Sequence, residues 1–530
     1  MSQNLQTSLV FPNLDEGVHP LNCGTHYVKI SSSGCIEWLI DATCDHMGGS
    51  LCGGGGALHC PKHGWCLDLK TLTYANGAIK TPLDPATYSL KGKILTLTKA
   101  RHLLNPYRPS KKGSFTFRYL NHACLYFESA GLKIITDPWL LGSAFLTGWW
   151  HATPSSQEAL ECLQRSDVIY ISHNHPDHLS PETLSLVSKD KLFICANFAS
   201  KSTEKALKSL GFTRVITLDF AQIYALHDHA FCAVFKSGDF RDDSGLYLCL
   251  EGHEILLTVD SNFLNRHVLP RELTLLCSAF SSGASGFPLC FDNYSLEEKR
   301  AICARNKAHM KSQVKQTLEI CKPQFYMPYA GMFTEGALRD LEIKRENPKN
   351  TPKDYQKLCM NLGVGYLAPR QDRILHLSAR GLQVNSTPHT PLTPSDPEVY
   401  IAHYKKTYIY DAQKLIAYLQ NSNYVDKQIV TFIPTNDNFS AVVAPRVEAN
   451  FACQTFRVLD PQEEVVRFQE NFRVMVLKIR AEILACVVEN HLPFEDFSIG
   501  FHCRIWRNPN TYESAFWFHF TNVYANTHPI

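Results

Sequence analysis

Short runs of alternating apolar and polar residues open the chain: Tyr27-Val28-Lys29-Ile30, Ile36-Glu37-Trp38-Leu39-Ile40 and Ile94-Leu95-Thr96-Leu97-Thr98. Gly, Pro and Asn punctuate them, which predicts a small antiparallel β unit over the first hundred or so residues. The pattern then changes. Ala123–Phe127, Lys133–Thr136, Val168–Ser172 and Glu254–Val259 are β-rich runs, interleaved with the helical-looking segments Thr203–Leu210 and Glu297–Ile320. Such interleaving predicts a layered α/β unit. Later, Val465, Phe468, Phe472, Met475, Ile479, Ile483 and Val487 recur at three- or four-residue steps and predict an amphipathic helix over 463–490 with a core-facing stripe. Phe497–Phe501 and Phe516–Phe520 read as strands covering that helix, with His502 and His519 as packing or surface residues. Two proline-bearing stretches, Arg101–Lys112 and Ser386–Pro397, divide the chain into units of 1–105, 113–385 and 398–530. The second stretch reads as a linker or a surface crossing.

A length of 530 residues accommodates two or three such cores. A net charge of +2 with 19% charged residues gives no basic surface for nucleic acid and no polybasic membrane anchor. No run approaches the roughly 18 apolar residues of a membrane span. The first residues lack a basic n-region, so no signal peptide is expected. The 19 cysteines are scattered rather than framed, which points to a reducing cytoplasm.

Two loops in the first unit carry chemistry. Cys44-Asp45-His46-Met47-Gly48-Gly49 and Cys60-Pro61-Lys62-His63-Gly64-Trp65 each offer one thiolate and one imidazole. A Rieske 2Fe-2S centre needs that inventory, because one iron takes two Cys and the other two His. Cys44, His46, Cys60 and His63 are therefore the expected cluster ligands, and Gly48, Gly49 and Gly64 allow the sharp turns. A structural zinc site uses similar spacing and is the bland alternative. Cys52, His59 and Cys66 are read as bystanders.

The second unit carries His173-Asn174-His175-Pro176-Asp177-His178 directly after a strand. Three imidazoles and a carboxylate in six positions form a transition-metal site unless they are merely an exposed His-rich loop. With Asp137-Pro138-Trp139, this motif resembles the metallo-β-lactamase superfamily, which implies a four-layer αββα sandwich with metal at the strand ends. By that resemblance Asp260 matches a metal-bridging Asp. Lys236-Ser237-Gly238-Asp239 and Pro328-Tyr329-Ala330-Gly331 stand where the superfamily supplies two further His. Without those imidazoles, one metal held by His173, His175 and either Asp239 or Asp260 gives a 2-His-1-carboxylate set suited to mononuclear non-haem iron, with zinc as the alternative. Asp177 and His178 are then outer or alternate ligands.

The combination resembles the CMP-N-acetylneuraminate hydroxylase family over nearly the whole chain. The discriminating segments are Lys236-Ser237-Gly238-Asp239-Phe240-Arg241-Asp242-Asp243-Ser244-Gly245 and Gly283-Ala284-Ser285-Gly286-Phe287-Pro288, together with Gly148-Trp149-Trp150 and Ile499-Gly500-Phe501. The resemblance implies a small all-β Rieske domain, an αββα domain and an α+β C-terminal region. It also implies insertion of one oxygen atom into the N-acetyl group of a CMP-sialic acid, with electrons from a donor such as cytochrome b5 or a ferredoxin and its reductase. His46 and His63 would mark the electron exit. Arg241, Arg370 and Arg373 are the expected anchors for a substrate phosphate or carboxylate, the bland alternative being surface ion pairs. The sequence is compatible with an oligomer. The rival readings are C- or N-oxygenation of another small molecule, a zinc hydrolase with a redox-gating Rieske unit, and a non-catalytic electron carrier.

Overall fold

In a computed structural model the chain is described over residues 6–10, 15–21, 26–42, 44, 51–54, 56–60, 65–75, 79–83, 85, 88–91, 94–98, 112–237, 241–261, 264 and 269–525. Among the described residues, the first unit consists of three small antiparallel sheets. Gln6–Val10, Ile94–Thr98 and Tyr88–Lys91 form one, and Gly17–Leu21, His26–Ile30 and Ile36–Asp41 another. The third joins Cys52–Gly54, Ala57–His59, Cys66–Asp68 and Thr73–Tyr74. Trp38, Ile40, Leu51, Leu58, Trp65 and Leu67 form a core that also encloses Cys44 and Cys60.

The second unit is built from two face-to-face sheets. One runs in the order Arg214–Leu218, Leu192–Ala196, Val168–Ile171, Leu132–Thr136, Cys124–Ser129, Phe115–Asn121, Arg373–Ser378, Gly381–Ser386. The other runs Tyr224–His227, Ala230–Lys236, Ser244–Leu250, His253–Leu257, Leu275–Ser278, Phe325–Pro328, Gly365–Tyr366. Strands buried on both faces read as unbroken apolar runs, as in Ser244–Leu250 and His253–Leu257. Phe117, Leu125, Tyr170, Val234, Leu248 and Met327 fill the space between the sheets. Helices Gln157–Arg165 and Ser202–Ser209 cover the outer face of the first sheet, where Leu163 and Leu207 meet Ile169 and Phe193. On the other side, Val314 and Leu318 of helix Leu296–Cys321 meet Leu256 and Tyr326. That long helix starts at a capping box, Ser295 with Glu298, which satisfies its first free N–H groups. The layers are α, β, β, α, as expected.

The 386–397 stretch is a surface crossing: Gln157 N–H donates to Thr390 O at 2.9 Å and Leu392 N–H to Ser155 O at 2.8 Å. Asp396 then caps helix Pro397–Thr407.

The C-terminal region is α+β but differs in detail from the periodicity reading. Residues 463–490 are not one helix. Arg473–Arg480 is a strand, in a sheet ordered Thr455–Val458, Val447–Asn450, Gln428–Thr435, Arg473–Arg480, Cys503–Asn508, and the helix begins only at Ala481 and ends at Asn490. Val474–Leu477 is buried at every position, and such a run matches helical and strand periods alike. Phe468, assigned to the stripe, is 74% exposed. The aromatic tail departs in the opposite sense: Glu495–Ile499 and Ser514–Phe518 are helical rather than extended. Phe494 packs on Phe497 at 5.1 Å and Phe516 on Phe520 at 4.8 Å, contacts at helical spacing.

One apolar core crosses from the sandwich into this region, joining Trp139, Phe145, Trp149, Phe291 and Phe333 to Leu415, Phe432, Leu477, Phe497 and Phe501. Polar contacts reinforce it. Trp149 Nε1–H donates to Ile499 O at 2.9 Å, His502 Nε2–H to Phe145 O at 2.8 Å, and the buried Arg480 guanidinium to Asp340 at 2.7 Å. His502 is thus a packing residue, as is His519, whose Nε2 meets Ser422 O at 2.8 Å. The closest approach is between backbones, since a Cβ at Gly148 would land on the carbonyl oxygen of Gly500. Among the described residues no helix is long and apolar enough to cross a membrane.

Gly148→Ala is expected to cost about 1–3 kcal/mol through overpacking, measured as a lower urea midpoint for the C-terminal region. An unchanged midpoint would mean the two backbones are not held in contact.

Candidate metal centre

The strand Val168–Ile171 ends at Ser172 and releases His173–His178 as a tight loop, in which the His178 and Leu179 N–H groups donate to His175 O at 3.0 and 2.8 Å. Ser180 caps the short helix that follows. From the facing sheet, Asp260 follows His253–Leu257, after Val259 in a left-handed conformation (φ 53°). The two strand ends, with the hairpin turn that holds His122, bring together two triads, His173/His175/Asp260 and His122/Asp177/His178. Within each triad the ligand-type atoms lie within 4.8 Å of one another. The triads adjoin: His178 Nε2 is 3.4 Å from both Asp177 Oδ2 and Asp260 Oδ2, and the His173 and His178 rings are 4.3 Å apart.

His122 was not found by the sequence reading. It occupies the turn between Phe115–Asn121 and Cys124–Ser129 with φ 43°, and its Nε2 stands 3.1 Å from Asp177 Oδ2. Ala330, in the segment that lacks the expected last imidazole, donates its N–H to His122 O at 2.9 Å. A lone His in a hairpin turn carries no spacing signal. The available cue was Asn121 beside it, a turn former at the end of a strong β run. Asp177 and His178, expected as outer or alternate ligands, both face inward in this second triad.

The electrostatics are those of a cation site. Burial, with His178 and His175 adding to it, holds His173 neutral, well below its ordinary pKa. His178 is pushed the other way: burial opposes its charge, but Asp177 and Asp260 overcome it and raise it well above the usual range. Asp177 is correspondingly held well below the carboxylate range by His178 and His122 despite burial. Among the described residues, Asp177 Oδ1 and both ring nitrogens of His178 are buried without a hydrogen-bond partner. Unsatisfied buried polar atoms of this kind are costly unless an ion engages them. An all-imidazole and carboxylate set suits zinc, iron or manganese, so the residues present fit a divalent metal.

Carboxylates stand behind three of the imidazoles: Asp137 Oδ2 is 3.4 Å from His178 Nδ1, Asp243 Oδ1 is 3.6 Å from His173 Nδ1, and Glu495 Oε1 is 3.0 Å from His175 Nε2. Asp137, itself at φ 40°, is fixed by Ser172 N–H at 2.7 Å. Phe145 packs edge-on to His175 and Trp139 to His122, walling the cluster with rings. Beside Glu495, burial pushes the Asp496 carboxyl up to about 8, with His175 opposing and Glu495 and Asp177 adding to the rise.

The other expected site residues are distributed as follows. Asp239 lies outside the described residues, as do His46 and His63. Cys44 and Cys60 are buried in one core, beside hydrogen bonds from Leu51 N–H to Ala42 O at 2.6 Å and from Cys60 N–H to Trp65 O at 2.7 Å. Arg241 stands close enough for its charge to bear on both His173 and Tyr512. Arg370 forks onto Asp372 at 2.9 and 2.8 Å on the exposed surface, and Arg373 donates to Ser386 Oγ at 2.5 Å. Their donors serve local pairing, the bland alternative.

Comparison with known proteins extends this geometry. A family model for a β-lactamase superfamily domain matches residues 116–256, which include His122 and the His173–His178 loop. Cytidine monophosphate-N-acetylneuraminic acid hydroxylase of Danio rerio is 28% identical, the match covering 95% of this chain and 92% of that protein. The Mus musculus protein of the same name is 27% identical over 96% and 93%. The chain is a homologue of these hydroxylases. Among solved structures, CmlA, a diiron β-hydroxylase from Streptomyces venezuelae, matches with a TM-score of 0.34 and 14% identity, over 58% of this chain and 66% of that one.

His122→Ala is expected to lower the number of tightly held divalent ions from two to one, measured by metal analysis after dialysis, with the fold retained by circular dichroism. A second prediction concerns pH. A carboxyl raised above its unfolded pKa favours the folded state less and less as pH climbs from the ordinary carboxylate range through about 8. Asp496→Asn in metal-free protein should therefore be as stable as wild type at pH 4 and more stable at pH 9, measured by thermal unfolding.

Proposed function

We propose that this enzyme is a Rieske-type monooxygenase that hydroxylates the N-acetyl group of CMP-N-acetylneuraminate or a related N-acyl nucleotide sugar, using O2 and an external electron donor. The observation that carries the reading is the likeness to named hydroxylases along almost the whole chain, with five of the six triad residues inside the region the family model matches and Asp260 just beyond it. Cys44, Cys60, His46 and His63 would hold a 2Fe-2S cluster, and the two triads would hold iron. When bound, the cluster supplies electrons singly and the iron supplies redox chemistry toward O2.

The chain's own residues do the rest. His173 is kept neutral and so offers a lone pair. Asp137, Asp243 and Glu495 hold the imidazoles in orientation. Phe145 and Trp139 exclude water from the cluster's flank. Arg241 brings positive charge to the same side and would take the substrate's phosphate or carboxylate, since a guanidinium matches both. The donor would be a cytochrome b5- or ferredoxin-type protein. The enzyme would work in a reducing cytoplasm, where the cluster's thiolates stay available.

One observation favours a second reading: paired sites of this kind also serve metal-activated hydrolysis, with zinc in place of iron. Reduced protein incubated with CMP-N-acetylneuraminate under oxygen decides between them. The expected product is heavier by one oxygen atom by mass spectrometry, and His173→Ala should abolish it while leaving the iron–sulfur spectrum intact. A zinc-loaded protein that cleaves substrate without O2 would replace this reading with the hydrolase.

A further inference from the structure

The three carboxylates behind the imidazoles do not come from one part of the chain. Asp137 and Asp243 belong to the sandwich, whereas Glu495 belongs to the C-terminal region, 320 residues beyond His175. We infer that Glu495 is a positioning residue for the metal centre: its carboxylate accepts the His175 Nε2–H, fixing the tautomer that leaves the Nδ1 lone pair to the His173/His175/Asp260 triad. This rests on the reading that the triads bind a divalent metal.

Ring geometry makes the need specific. His173 turns Nε2 toward the triad and His175 turns Nδ1, and the two atoms share a hydrogen bond at 2.8 Å that a bound metal would replace. An imidazole that presents Nδ1 inward must send Nε2–H outward, and in a largely enclosed position that donor needs an acceptor. The sandwich supplies Ser172 and Asp243 for the outward nitrogen of His173, and Asp137 for that of His178. For His175, among the described residues, the acceptor is Glu495 at 3.0 Å.

The C-terminal segment is also held where this contact requires it. Glu495 N–H donates to Thr521 Oγ1 at 3.2 Å, Gly500 N–H to Asp496 O at 3.0 Å, and Gly500 abuts Gly148. Phe145, whose carbonyl binds His502, lays its ring edge against His175. The interface between the two regions and the orientation of one metal ligand are therefore set by the same short segment, and the sandwich alone lacks a complete site. The Glu495 side chain is 32% exposed, so its truncation removes little packing.

The test is anaerobic titration of the metal-free full chain with cobalt(II) against a competing chelator, alongside Glu495→Ala and Glu495→Gln. Removal of such an outer carboxylate typically weakens metal binding about 10–100-fold. Glu495→Ala should show that loss for one ion while the ion at His122/Asp177/His178 keeps its affinity. Glu495→Gln, which keeps an acceptor oxygen, should remain within a few fold of wild type. Unchanged binding by Glu495→Ala would overturn the inference and leave the metal reading standing, as would a glutamine variant as weak as the alanine one. A metal-free alanine variant that fails to fold by circular dichroism would assign Glu495 to the fold instead. Wild type that binds no cobalt would overturn the metal reading itself, and this inference with it.

Discussion

Two carboxylates of a metal-sized cluster, Asp177 and Asp260, face four imidazoles at the ends of two packed sheets, and the rest of the structure answers to that concentration of charge. Asp177 is buried, and Asp260 is only partly open to solvent. Without an ion the cluster compromises by loading His178 with a proton while keeping His173 neutral. A divalent cation bound there would relieve the same charge directly and engage donor atoms that stand at 3.4 Å with no hydrogen bond between them. The sandwich is suited to the task because strands from both sheets end at the same edge, where polar loops can converge above an apolar interior.

The second consequence is that the sandwich and the C-terminal region share one core. Trp149 stacks on Phe333 at 3.6 Å within the sandwich and donates to Ile499 across the boundary. Arg339 bridges Thr147 to Asp437 and Glu482, so buried charge on one side is neutralised from the other. Truncating such a network on one side leaves uncompensated charge, which is more damaging than the loss of a surface pair. A boundary between residues 385 and 398 is therefore a point of chain crossing rather than a seam between independent cores.

How much of this the sequence disclosed follows from range. Four sandwich strands, those at 124–129, 132–136, 168–171 and 253–257, were legible because each holds a compact apolar run, and the His173–His178 loop because its donors fall within six positions. The helix Leu296–Cys321 was legible as the long helical-looking segment Glu297–Ile320. The strand Arg473–Arg480 was hidden because continuous apolarity erases the distinction between periods, and the aromatic tail because Phe and Trp runs suit strands by propensity but here pack along helices. His122 and Glu495 were out of reach for another reason. Each is a single residue whose meaning comes from a partner 55 or 320 positions away. The paired triads, like the third carboxylate, are products of tertiary structure.

The most direct measurement is anomalous X-ray diffraction at the iron edge from crystals of the full chain reconstituted with ferrous iron under anaerobic conditions. Two peaks at the strand ends of the sandwich, one bounded by His173, His175 and Asp260 and the other by His122, Asp177 and His178, are the predicted result. No iron peak at either triad would contradict the account.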